Sequence, residues 1–467
     1  MTTDTPAPPP AATPPPPDDG PTTDNPFLVV PYAVARQAKH AIEGLEHLLS
    51  QRAPTRALSA VPRTAHFMGA TAKRGRSEPV DLPHPTLSPG FAAHVAMDEL
   101  ILALAMGPNR FPVQADFDRV AAELGHARLL YDARGWLDDP ASYHRDPPPL
   151  TDPSFDRGKF LGTSYQRLLF PSGWEPRDDE PGAARWNSYT ANETASATVL
   201  RHDGPPRPWV VAIHGFGMGF PFMDLFGLHA LHLHKDLGLN VVMPVLPLHG
   251  ARRITRVSGE AFLSFDLINT VHGLAQSVWD IRRLLSWVHA QDAPQVALFG
   301  ISLGAYVTSL LTGLVDDVDA VIAGVPVVDF PAMFHQQAPH RVRLRAVEHE
   351  ILDGNAELVH RVVSPLAFAP KVPEGRRFIF AGLGDRMAPP DQALALWRHW
   401  DEPEISWYAG NHVGYLWSRQ VTAFINDSLT ASGFVPEDVG ESGAGEGAGE
   451  GRLDGRLDGG PDGEEVP

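Results

Sequence analysis

Ser302 stands in the pentapeptide Gly300-Ile301-Ser302-Leu303-Gly304. A serine hydroxyl is a weak nucleophile at neutral pH. It needs a neighbouring base, and the base needs a third group that fixes its tautomer and stabilises its cation. Two later residues fit those roles: Asp385 in FIFAGLGDRMAPP and His412 in ISWYAGNHVGY. The gaps, 83 residues from serine to acid and 27 from acid to histidine, leave room for an insertion and then for one helix–strand unit. Such a set can attack an acyl carbonyl and pass through a covalent acyl intermediate. The pentapeptide alone carries little weight, because chance supplies about 0.2 such matches in a chain of this composition, so its context decides. That context is an apolar run, VALFG, entering the motif and a helical run, LGAYVTSLLTGLV, leaving it. The competing reading is a glycine-flanked serine that caps a core helix.

Acyl chemistry also needs backbone donors where the carbonyl oxygen becomes negative. One expected donor is the N–H of Leu303, just after the nucleophile. The other is the N–H of Phe216 in His214-Gly215-Phe216-Gly217-Met218-Gly219, a glycine-rich loop that follows the apolar run WVVAI. The loop reads G-x-G-x-G, which is not the dinucleotide fingerprint G-x-G-x-x-G. Asp329, at the end of GVPVVD, is the rival acid. Taken singly, Asp385 could be a turn or cap residue, and His412 is one of 21 histidines.

The elements around these residues must place them together. WVVAIHG, NVVMPVLP, VALFG, AVIAGVPVVD, FIFAGLGD and ISWYAG read as strands, the first of them typical of burial on both faces. Tyr165–Phe170 and Ala195–His202 read as two further strands. Helical periodicity fills Leu225–Leu237, Phe265–His289, Ser302–Leu314, Asp391–Trp400 and Val413–Leu429. Strands alternating with helices imply an α/β fold with a doubly wound, mostly parallel sheet and helices on both faces. Functional side chains then gather at the carboxyl ends of the strands. Residues 27–157 read as an N-terminal helical region, with helices at Tyr32–Leu49, Phe91–Met106 and Val113–Tyr131 and no strand signal. The catalytic domain is expected over 158–435. Residues 1–26, rich in proline, and 436–467, rich in glycine and acid, are expected to be disordered. A cap is expected at about 330–370, where Phe334, His335, His340, Arg341, Arg343, Arg345 and His349 either bind an acidic substrate head or form a solvated helical face.

At this point the residues resemble a family. HGFGMG, GISLG, GLGD and GNH, in that order over roughly residues 160–430, resemble the α/β-hydrolase superfamily. The resemblance implies Ser302, Asp385 and His412 as nucleophile, acid and base, with Phe216 and Leu303 as oxyanion donors. LLFPSGW, VLPLHGARR and NHVGYLW are further similar to the family of α/β-hydrolase domain-containing protein eighteen, whose members are linked to lipid deacylation. Here His412 follows asparagine rather than glycine.

Composition bounds the remaining classes. The formal net charge is −18, and ten acids against two arginines lie between Glu437 and Pro467. An acidic chain argues against nucleic acid. The absence of cysteine removes disulfides and thiolate sites. No apolar run is long enough to span a bilayer and no secretory signal is visible, so a cytoplasmic protein is expected. His229, His232 and His234 share a predicted helix but lack a carboxylate cluster, and no metal or cofactor is expected. His249 reads as a loop residue near the site mouth, and Trp407, Tyr415 and Trp417 as core or pocket wall. The expected substrate is a small-molecule or lipid carboxylic ester. Acyl transfer to an alcohol would use the same residues, and a non-catalytic binding protein could keep the same fold.

Overall fold

The computed structural model describes residues 58–74, 82–105, 112–160 and 162–436. The expected arm, the helix at Tyr32–Leu49 and the tail from residue 437 lie outside the described residues. The chain opens with helices α1 (Ala60–Arg74), α2 (Pro89–Ala105) and α3 (Gln114–Ala133). Strands β1 (Ser154–Phe160) and β2 (Thr163–Pro171), helix α4 (Ala183–Asn187), and strands β3 (Thr194–Leu200) and β4 (Trp209–Ile213) follow. Next come α5 (Pro221–Gly227), α6 (Ala230–Lys235), β5 (Asn240–Pro244), α7 (Leu267–His289), β6 (Val296–Ile301), α8 (Leu303–Thr312) and β7 (Ala320–Gly324). A helical insertion holds α9 (Phe330–Gln337), α10 (His340–Glu348), a π-turn (Ile351–Asn355) and α11 (Ala356–His360). Strand β8 (Arg377–Gly382), α12 (Pro390–His399), β9 (Glu404–Tyr408) and α13 (Arg419–Ala431) complete the chain.

The sheet has nine strands in the order β1-β2-β3-β5-β4-β6-β7-β8-β9. The pairs from β1 through β3 to β5 are antiparallel, and every pair from β5 through β4 to β9 is parallel. This is an α/β-hydrolase fold. The central strands are continuous apolar runs because helices cover both of their faces. Alternate residues serve the two sides. Val211, Ile213, Leu298 and Val321 join one core with α3, α7 and α8, while Val210, Ala212, Phe299 and Ile322 join the other with α6 and α13. Phe117, Val120 and Leu124 of α3 belong to the first core, so α3 shares it with the sheet.

Helices α1 and α4 and strand β1 escaped the sequence reading. Helix α1 lies between the expected helices at Tyr32–Leu49 and Phe91–Met106, where no element was expected. Strand β1 falls in the region read as purely helical and crosses its expected boundary at 157. SFDRGKF sits at the sheet edge with most of its side chains exposed, so it shows no apolar alternation. Three spans needed correction. The helix expected over Leu225–Leu237 is two short helices, broken at His229, whose φ is +49°. The strand expected through GVPVVD stops at Gly324. Val325 turns away at φ +41°, and the N–H groups of Val328 and Asp329 donate to the Gln392 side chain instead of a ladder. The helix expected over Val413–Leu429 begins only at Arg419, after a 3₁₀ turn at Gly414–Trp417.

A buried guanidinium fastens the sheet to α7. Arg252 donates to Val245 O at 3.0 Å, Asp280 Oδ2 at 2.9 Å and Asn192 O at 2.9 Å. Asp280 also accepts from Ser172. Arg252 is 1% exposed, so its removal leaves an uncompensated buried carboxylate. Breaking such a pair costs about 3–5 kcal/mol. Arg252→Met is therefore expected to lower unfolding free energy by about that amount in urea titration.

Candidate active site

Ser302 lies where β6 ends and α8 begins. Its backbone adopts φ +56°, ψ −116°, a conformation that non-glycine residues rarely occupy. The neighbouring glycines explain how this turn is tolerated. A Cβ on Gly304 would stand 2.0 Å from Ile213 O, and one on Gly300 would stand 2.3 Å from Gly304 O. Helix α8 thus rests directly on the backbones of β4 and β6, and only glycine fits at either position. The Leu303 N–H is at the first helical position, where no intrahelical acceptor exists.

The glycine-rich loop lies against this turn. A Cβ on Gly215 would come within 3.3 Å of Ser302 Cβ. Gly215 O accepts from the Met218 N–H at 3.4 Å, and Gly217, at φ +82°, supplies the positive φ that such a turn requires. The Phe216 N–H is not used by the turn. Three buried side chains hold the loop. The Leu246 N–H donates to His214 Nε2 at 3.1 Å, so His214 carries its proton on Nδ1 and donates it to Gly215 O at 2.8 Å. Burial pushes His214 down to a pKa of about 4, which keeps it neutral. Asp224 accepts from the Gly219 N–H, and Ser258 donates to Met218 O. His249, expected at the site mouth, is instead fully buried beneath this loop, with its ring 5.1 Å from His214 and 6.2 Å from Phe216.

Asp385 and His412 leave the carboxyl ends of the neighbouring strands β8 and β9. They meet through a 2.7 Å hydrogen bond from His412 Nδ1 to Asp385 Oδ2. Asp385 Oδ1 accepts from the N–H groups of Met387 and Ala388 at 2.8 and 2.7 Å, which fixes the carboxylate plane. Both side chains are buried. Burial opposes the imidazolium of His412, but the charge and hydrogen bond of Asp385, aided by the charge of Asp98, outweigh it and hold the pKa above 6.5. With Nδ1–H donated to Asp385, Nε2 is the free nitrogen. Asp329 has other work: its side chain caps α9 by accepting from the Ala332 N–H at 2.9 Å.

The remaining expectations divide. Arg345 lies over the Phe117 ring and His349 stacks on it, so both are taken up by packing on α3. His340 and Arg341 are exposed. His229, His232 and His234 do not form a set: His232 bonds Asp236 and Asn426, and His234 bonds Leu239 O. Tyr415 is buried and donates to Gly227 O, whereas Trp417 is 58% exposed. Among the described residues no helix is long and apolar enough to cross a membrane. One residue outside the sequence reading reaches the site. Asp98, on α2, accepts from the N–H groups of Arg386 and His412. Its signal was present in VAMDELILALA, where two acids interrupt an apolar helix.

No family model matches the chain. Over 364 residues it is 40% identical to the uncharacterized protein Rv2627c of Mycobacterium tuberculosis strain H37Rv, covering 77% of this chain and 86% of that one. The match to uncharacterized protein MT2702 of strain CDC 1551 has the same identity and coverage. The chain belongs to the family of these mycobacterial proteins. Among solved structures, the acetyl xylan esterase of Paenibacillus sp. R4 is 15% identical, with 65% of this chain and 91% of that chain covered and a TM-score of 0.42. Acetyl xylan esterase 1 of Thermoanaerobacterium sp. JW/SL YS485 is 13% identical, with 62% and 94% covered and a TM-score of 0.41.

The Gly304 contact gives a direct test of the turn. Gly304→Ala is expected to destabilise the protein by about 3 kcal/mol, the upper range for overpacking, because the contacted atom is backbone and cannot swing aside. Thermal and urea denaturation measure the loss.

Proposed function

We propose that the protein is a serine hydrolase that cleaves a carboxylic ester through an acyl-enzyme on Ser302. The observation that carries this reading is the 2.7 Å hydrogen bond between His412 Nδ1 and Asp385 Oδ2. Asp385 accepts the Nδ1 proton, so Nε2 is the atom that takes the proton of Ser302 Oγ as Oγ attacks the ester carbonyl. The carbonyl oxygen becomes negative and is received by the N–H groups of Leu303 and Phe216. Nε2 then protonates the leaving alcohol, and the acyl group remains on Ser302. Water repeats the sequence, giving its proton to Nε2 and releasing the acid. The similarity of LLFPSGW, VLPLHGARR and NHVGYLW to the eighteen family favours a lipid ester as substrate.

Labelling with a fluorophosphonate probe tests the nucleophile. The wild type is expected to react and Ser302→Ala to remain unlabelled; a folded wild type that fails to react sinks the reading. A panel of nitrophenyl esters of rising chain length then reports the acyl group preferred.

The acid and the pH profile are tested together. The base must be neutral to act, and His412 holds its proton to a pH above its ordinary 6.5. Activity is therefore expected to be lost as pH falls through a midpoint above 6.5. Asp385→Asn is expected to lower kcat by about 10⁴, since the wrong tautomer then faces Ser302. Asp329→Asn keeps an equally good helix cap and is expected to retain wild-type turnover. The reverse ranking of the two variants would reassign the acid.

A further inference from the structure

The N-terminal helices reach the site through one carboxylate. Asp98 is fully buried on α2. A single oxygen, Oδ2, accepts the N–H of Arg386 at 2.9 Å and the N–H of His412 at 2.9 Å. These donors belong to different loops. Arg386 follows the acid Asp385, and His412 is the base itself, lying 27 residues further on. One atom of α2 therefore spans the two loops whose spacing sets the Asp385–His412 contact. We propose that Asp98 is a positioning residue for the Asp385–His412 pair, holding the two loops in register and adding a second negative charge that favours the imidazolium. This rests on the serine-hydrolase reading above.

The seat of α2 supports it. Gly384 has no side chain, and a Cβ there would stand 3.0 Å from the Phe91 ring and 3.1 Å from Gly410 O. Phe91 thus packs directly on the acid loop. His94 Nδ1 lies 3.2 Å from Asn411 Oδ1, and Arg386 Nε donates to Glu99 Oε1 at 2.9 Å. Arg386 also covers the Phe67 ring of α1 at 4.6 Å. Every one of these contacts lies within three residues of Asp385 or His412.

The charged and titratable groups around Asp98 are Asp385, His412, Arg386 and Tyr408 from the sheet side, and His94, Glu99 and Arg63 from the helices. Burial, and then the charge of Asp385, push Asp98 up to a pKa of about 6, while His412 and the two N–H donors oppose the rise. Above that pH Asp98 is charged, and its two hydrogen bonds are charge-assisted. A residue that merely anchored a helix would leave the ionisation of His412 unchanged when asparagine replaced it.

The experiment measures two quantities across pH in wild type, Asp98→Asn and Asp98→Ala. One is the rate of fluorophosphonate labelling at Ser302. The other is the His412 pKa, from NMR of protein labelled with ¹⁵N at histidine, the resonance being assigned with His412→Asn. Asp98→Asn keeps an acceptor and loses the charge, so both midpoints are expected to move about half a unit or more to lower pH. Asp98→Ala loses the bridge as well and is expected to label about tenfold to a hundredfold more slowly at the plateau, the cost of a displaced base. Unchanged midpoints in Asp98→Asn overturn the proposal, as does wild-type labelling by a folded Asp98→Ala. If Asp98→Ala does not fold, Asp98→Asn decides alone. If the wild type itself does not label, the hydrolase reading fails, and the NMR titration still decides whether Asp98 acts on His412.

Discussion

Helix α8 approaches strand β4 so closely that position 304 has no room for a side chain. Much of the site follows from that contact. It sets the angle at which the chain turns from β6 into α8, and so places Ser302 at φ +56°. Such a backbone costs about 1–3 kcal/mol and persists only when its surroundings over-determine it. Here the surroundings are the parallel ladder of Ala297–Ile301 with Ala320–Gly324 on one side and the glycine loop on the other. The strain holds the hydroxyl at the carboxyl edge of the sheet, at the amino end of α8.

The electrostatics of the neighbouring loops obey a second constraint. Asp385, Asp98, Glu99 and His412 are all buried within a short stretch of structure. Buried acids need donors. Asp385 finds two backbone N–H groups and His412, Asp98 finds two backbone N–H groups, and Glu99 finds Arg386. The second oxygen of Asp98 has no partner, which agrees with its raised pKa. The charges of Asp385 and Asp98 favour the imidazolium of His412.

Much of this was legible in the sequence, and the reason is physical. Strands buried on both faces leave unbroken apolar runs, so VVAI, VALFG and FIFAG could be read directly. Glycines forced by close approach, at 300, 304 and 215, left a spacing that could be matched. Ser302, Asp385 and His412 each sit just past such a strand. What could not be read depended on partners remote in the chain. Strand β1 is exposed at an edge and carries no hydrophobic signature. VPVVD is apolar and buried like a strand, yet its N–H groups go to Gln392, which no local pattern reveals. Asp98 was not singled out, because locally it is only an acid in an apolar helix and its partners lie 288 and 314 residues away.

That separation has a consequence for synthesis. At about 5–20 residues per second, α2 is made roughly 15–60 s before the loop that carries His412. Through that interval Asp98 lacks the two N–H donors it accepts from in the folded protein, so α2 gains nothing by burying it. The contacts of Asp98 can form only once the loops after β8 and β9 have been made. The site is then among the last parts of the molecule to be completed, and a nascent chain carries the Ser302 turn well before it carries His412.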